Sequence, residues 1–135
     1  MRPASMLANI PLLIFVIGAY NVLALITGTP MTGTMVSLTL PGGTPFVMTL
    51  GEVLILVGLV LLYLEIFKST RTGVVSIIDH LLSIALFIVA LVEFLLLPAM
   101  GTATFLILTV MTLVDVIAGF TVTISGARRD VGLTR

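Results

Sequence analysis

The ionisable side chains are few enough to take one at a time. They are six acids (Glu52, Glu65, Asp79, Glu93, Asp115 and Asp130), one histidine (His80) and six Lys or Arg residues. Two of the acids sit deep in apolar sequence, Asp115 in 108-LTVMTLVDVIAGFTV-122 and Glu93 in 88-IVALVEFLLL-97. An ionised carboxylate in hydrocarbon costs at least ~2.5–3.5 kcal/mol, so each needs an arrangement that lowers this. The acid can carry a proton, or accept hydrogen bonds from Thr112, Ser83, Asn21 or Tyr20. Alternatively it can hold a cation or face water. The first two are structural glue; the third is transport. Intramembrane acids are functional-site candidates by default, which makes Asp115 and Glu93 candidate proton or cation relay groups.

A second group gathers at one end of the same chemistry. Glu65 lies three residues before Lys68, a helical spacing that favours an ion pair. Asp79 and His80 belong at a similar depth on the next helix, and Arg71 lies between. Glu65, Lys68, Arg71, Asp79 and His80 therefore form an expected polar cluster. One reading is a clamp of ion pairs; the other is a proton-accepting vestibule, since histidine titrates near neutral pH. Glu52 has a more local use. In 49-TLGE-52, Thr49 and Glu52 have the form of a helix-capping box. Asp79 closes a similar 76-SIID-79, as a cap if a helix starts at Ser76 and as an interior residue if it starts near Gly73.

Several chemistries lack their residues. With no Cys in the chain, disulfides, thiol redox chemistry and thiolate metal sites are excluded. One His cannot make a two-histidine haem or zinc site. Neither a G-x-x-x-x-G-K-[ST] loop nor H-E-x-x-H is present. The glycines of 28-GTPMTG-33 are not followed by a Lys. No cofactor, metal or catalytic residue is expected, and the chain is not expected to be an enzyme. Zero net charge without a basic tract argues against nucleic acid as a partner.

The elements that position these groups follow from composition. The 135 residues are 59% hydrophobic and only 9% charged, with a mean hydropathy of +1.34. Soluble domains average about 45–50% apolar and about 25% charged. A chain of this length has no core large enough for so much apolar surface. The expected partner is the lipid bilayer. Four apolar runs, 6–27, 50–67, 77–97 and 103–124, each approach the ~20 residues needed to cross ~30 Å of hydrocarbon. Without water to satisfy backbone groups, they should be helices. The first is too long for a cleaved leader and has no small-residue cleavage site after it, so a retained helix is expected.

Every Lys and Arg then falls on one side: Arg2 before the first helix, Lys68 and Arg71 after the second, and Arg128, Arg129 and Arg135 after the fourth. The positive-inside rule puts both termini in the cytoplasm. A bacterial inner membrane is the expected setting. The outer segment 28–49 alternates apolar and polar residues in TMVSLTL, turns at PGG and resumes with TPFVMTL. A short β-hairpin is expected there, either a lid on the bundle or a binding surface.

Small and polar residues mark the inward faces. Along the third helix Ser76, Asp79, Ser83, Leu86, Ala90 and Glu93 form a stripe at spacings of three and four. Gly51, Gly58 and Glu65 recur every seven residues in the second, a seam placed to meet that stripe. The fourth offers Thr112, Asp115, Gly119, Thr123 and Gly126, and the first Gly18 and Asn21. Small residues let helix backbones approach closely, so Gly51, Gly58, Ser76, Ser83, Ala90 and Gly119 are the expected packing positions. The fold class is an all-α, single-domain, four-transmembrane-helix bundle with a hairpin. Two functions follow: an oligomeric proton or cation channel or transporter using the intramembrane carboxylates, or a non-catalytic accessory or scaffold subunit of a larger membrane complex.

Overall fold

The structure is a computed structural model that describes residues 9–70 and 74–133, and side chains outside 74–76. It is mostly helical, with one small sheet. Helix α1 is Leu13–Asn21 and runs into a π-helical segment, Val22–Ile26. Strands β1 (Thr34–Thr39) and β2 (Pro45–Thr49) follow. Helix α2 is Leu50–Ser69, α3 is Val74–Leu96, and α4 is Ala103–Leu133 after a 3-10 turn at Pro98–Met100. Among the described residues, three helices are long and apolar enough to cross a membrane: α2, α3 over Ile77–Leu96, and α4.

Two helix lengths differ from expectation. Leu13–Ile26, in the first of the four runs, is shorter than those three. It covers about 21 Å at 1.5 Å per residue. Pro11 removes a backbone donor and fixes φ just ahead of it, which suits a helix start rather than a helix interior. Gly28, at φ +63, ends it at the other side, where Thr29 N–H bonds Leu23 O at 2.8 Å. Conversely α4 does not stop at 124. It has 31 residues, about 46 Å, because its polar tail still consists of residues a helix accommodates.

The expected hairpin is present. Strands β1 and β2 pair antiparallel with Val36 opposite Met48 and Leu38 opposite Phe46, and a bulge lies near Thr34. Its turn is Pro41–Gly43. Gly43 N–H bonds Leu40 O, and Gly43 takes φ +83, which a side chain would oppose. A turn followed by one left-handed residue is a common three-residue hairpin connection. The hairpin is tied to the bundle by Leu50 N–H to Gly33 O and Gly51 N–H to Met31 O. The capping box of Thr49 and Glu52 starts α2 directly from β2.

Helix α4 is the centre of the packing. Its face Phe105, Leu108, Thr109, Thr112, Asp115, Val116 and Gly119 is buried, and it packs extensively against both α2 and α3. The seam of α2 therefore meets the stripe of α3 only at its Glu65 end, where Lys68 pairs with both Glu65 and Asp79. Gly51 and Gly58 face α4: a Cβ at Gly58 would lie 2.9 Å from Met111 Sδ, and one at Gly51 2.7 Å from Thr104 Oγ1. A long central helix can fill both grooves at once, which a short connection between α2 and α3 does not prevent. The stripe of α3 does face inward, with Asp79, Ser83, Leu86 and Ala90 buried; the Ser76 side chain lies outside the described residues. Ile77, Ile78, Leu81, Leu82, Ile88 and Leu95 on the same helix are exposed. Helix α1 turns Leu13, Val16, Ile17 and Tyr20 to the core. Gly18, expected inward, has open space beside it, because those larger apolar side chains bury more surface.

Candidate functional site

The polar side chains collect in two layers, one at the hairpin end and one toward the far end. The far layer is built on Lys68 in the last turn of α2. Its Nζ lies 3.1 Å from Glu65 Oε1 and 3.0 Å from Asp79 Oδ1, and donates to Ile10 O at 2.8 Å. Glu65 Oε2 accepts from Leu12 N–H at 2.8 Å. That nitrogen is at the start of α1, where helix N–H groups lack partners and negative charge is favoured. Leu12 supplies no side-chain cap. Glu65, only 1% exposed, thus caps α1 from another helix, while Lys68 holds the carbonyl two residues earlier. Among the described residues, Glu65 Oε1 and Asp79 Oδ1 have no hydrogen bond besides these ion pairs.

Asp115 joins this layer. It is buried on α4, its carboxylate is hydrogen-bonded by Ser83, and it interacts electrostatically with Lys68 and Asp79. Glu65 also feels its charge. The run that holds Asp115 contains no Lys or Arg of its own, yet the Lys68 ammonium of α2 acts on its charge. Asp115 is about 18 Å along α4 from Ala103, and Glu65 is about 22 Å along α2 from Leu50. Both helices run from the hairpin end, so the two acids come level. Two carboxylates, from α2 and α3, pair directly with one ammonium, and a third, from α4, lies within its electrostatic reach. Arg71, expected in the cluster, lies outside the described residues.

His80 is placed apart from the ion pairs. Its ring fits a notch at Gly119, where an added Cβ would lie 2.5 Å from Nδ1. It meets Phe120 edge-on with centroids 4.1 Å apart. Among the described residues, its buried Nε2 has no hydrogen-bond partner. Here α3 supplies the large residue and α4 the glycine, the reverse of the α2–α4 contact.

Glu93 belongs to the hairpin-end layer, about 21 Å along α3 from Asp79. Asn21 Nδ2 donates to Glu93 Oε2 and to Ile17 O, both at 3.0 Å. Tyr20 hydroxyl and Thr102 Oγ1 are 2.6 Å apart, and Thr102 Oγ1 also accepts from Phe105 N–H at the start of α4. Between the layers lies apolar packing: Leu13, Val16, Ile17, Leu54, Leu86, Ala90, Phe105, Leu108 and Met111 form one buried cluster. Thr109 and Thr112, within this zone, return their hydroxyl protons to the carbonyls of Phe105 and Thr109.

Of the proposed relay residues, then, Glu65, Asp79 and Asp115 are brought together, His80 packs beside them on the α3–α4 seam, and Glu93 is remote. The backbone of Ile10 and Leu12 is the part of the site that side-chain patterns do not disclose; Pro11, which stops the helix there, was the available signal. Among the described residues, no three His, Asp or Glu side chains are arranged to hold a metal ion. The arrangement can neutralise buried charge, cap a helix and exchange protons among its carboxylates. Compared with protein-family models, curated proteins and solved structures, the chain has no match.

Proposed function

We propose that the chain is a small multi-pass membrane protein, crossing four times with both termini in the cytoplasm, that serves as a non-catalytic accessory or scaffold subunit of a larger membrane assembly. The observation that carries this reading is the use made of the intramembrane acids. Glu65 and Asp79 are held by Lys68, Asp115 by Ser83, and Glu93 by Asn21. The two polar layers are separated by packed apolar side chains. Acids bonded in this way stabilise the bundle and need no transported ion. The helix faces turned away from the core, such as Leu56, Val57, Val60 and Tyr63 on α2, are apolar and suited to lipid or to another membrane helix. A bacterial inner membrane and self-association are part of the same proposal.

One observation favours proton or cation transport as the second reading: Glu65, Asp79 and Asp115 outnumber the single Lys68 among the described residues of their layer. Such an excess takes up a proton or another cation. Reconstituted liposomes separate the readings. The accessory role expects no proton or monovalent-cation flux. Flux through the native chain that disappears in Asp115→Asn would overturn it and establish the transporter. The crossing itself is tested by single cysteines, which the Cys-free chain allows without background. A cysteine at Gly42 should react with an impermeant reagent from outside intact cells, and one at Thr70 only after lysis.

A further inference from the structure

A groove of about 280 Å³ lies between the hairpin and the first turns of α2, lined by Phe46, Val47, Met48, Ile55 and Leu56, with Glu52 as its one charged residue. Ile55 and Leu56 are about 8–9 Å along α2 from Leu50, and Glu52 is about 3 Å from it. On the membrane-spanning reading above, this puts the apolar wall at hydrocarbon depth and the carboxylate at headgroup level. An open apolar groove at that depth is filled by whatever hydrocarbon adjoins it. Its volume falls just under the ~300 Å³ at which pockets for drug-sized ligands begin, so it suits one chain.

Charge narrows the choice of occupant. Residues 3–67 and 72–127 contain no Lys or Arg, so the acids at this end have no cationic competitor nearby in sequence. Glu52 uses Oε2 for its cap, accepting from Thr49 N–H and Oγ1, which leaves Oε1 available. We infer that this groove is a lipid site of the outer leaflet that takes one acyl chain of phosphatidylethanolamine, with the lipid's ammonium at Glu52. Anionic headgroups are disfavoured at the same place by the carboxylate.

The test is native mass spectrometry of the full chain, extracted in mild detergent from membranes holding equal amounts of phosphatidylethanolamine and phosphatidylglycerol. Retention of the former should exceed the latter by about fivefold, the effect of one favourable charge near a headgroup. Glu52→Gln keeps the capping box, which accepts Gln, and should bring the ratio near one. Leu56→Trp should fill the groove and abolish retention of either lipid while helix content by circular dichroism stays unchanged. Equal retention by the native chain, preference for the anionic lipid, or a preference untouched by both variants would overturn the site. So would a lipid-free dimer, which gives the groove to a second copy. Recovery of the chain in the aqueous fraction without detergent would instead overturn the membrane reading itself.

Discussion

At the scale of single residues, Lys68 has the largest consequences. It neutralises two carboxylates and holds a backbone carbonyl. Lys68→Met would leave Glu65 and Asp79 buried without their counterion. Removing one partner of a buried pair typically costs about 3–5 kcal/mol; a large fall in thermal unfolding temperature in detergent is expected. Adding Glu65→Gln and Asp79→Asn to Lys68→Met should restore part of the loss, since the uncompensated charges are then gone. Gly119→Ala makes a different prediction. The new Cβ meets His80 at 2.5 Å, and overpacking of this kind costs about 1–3 kcal/mol. His80→Ala in the same chain should relieve it, so the double mutant is more stable than additivity allows. The pairing of Glu65 with Lys68 was legible from their spacing. The partnership of Asp115 with Ser83 was one of four donors the sequence offered, because choosing among them required the rotation of α3 against α4.

At the scale of elements, the local signals performed well where chain-adjacent residues decide the outcome. The capping box at Thr49 and Glu52, the Pro41–Gly43 turn and the alternating strands are all set within a few residues. Thr49→Ala should destabilise α2 by about 1 kcal/mol. Gly43→Val should cost more, measured by the same unfolding assay, because Gly43 holds a positive φ that a β-branched residue resists. Element ends far from such signals were less legible. Helix α1 is stopped at Pro11 and supported there by Glu65 and Lys68, side chains some fifty residues away in sequence. The tail of α4 continues past the apolar run because hydropathy reports burial in lipid, not helicity.

At the scale of the whole molecule, α4 is the element that the others share. Gly58 lies against Met111 and Leu108, and Gly119 receives His80. Gly58→Leu should therefore separate α2 from α4 and lower stability by several kcal/mol, the upper part of the overpacking range or beyond. Gly18→Leu, beside open space, should be nearly neutral in the same assay. The contrast tests the packing order directly, since sequence spacing had assigned both glycines to inward faces. Tyr20→Phe probes the hairpin-end layer. Loss of its 2.6 Å bond to Thr102 should cost about 1 kcal/mol and leave the Lys68 layer intact.

Sequence by itself determined that long apolar helices carry this protein, that a hairpin joins the first two apolar runs, and that the acids must turn away from apolar surroundings. Those conclusions rest on composition and on periods of two and 3.6 residues, which are properties of a local chain. Only the tertiary structure decided which helix stands in the middle, that Glu65 caps α1, that Asp115 lies level with Lys68, and that Glu93 is answered by Asn21. Each of those depends on the relative rotation and shift of helices. Many rotations bury similar amounts of apolar surface, and the choice among them is made by contacts between residues distant in sequence.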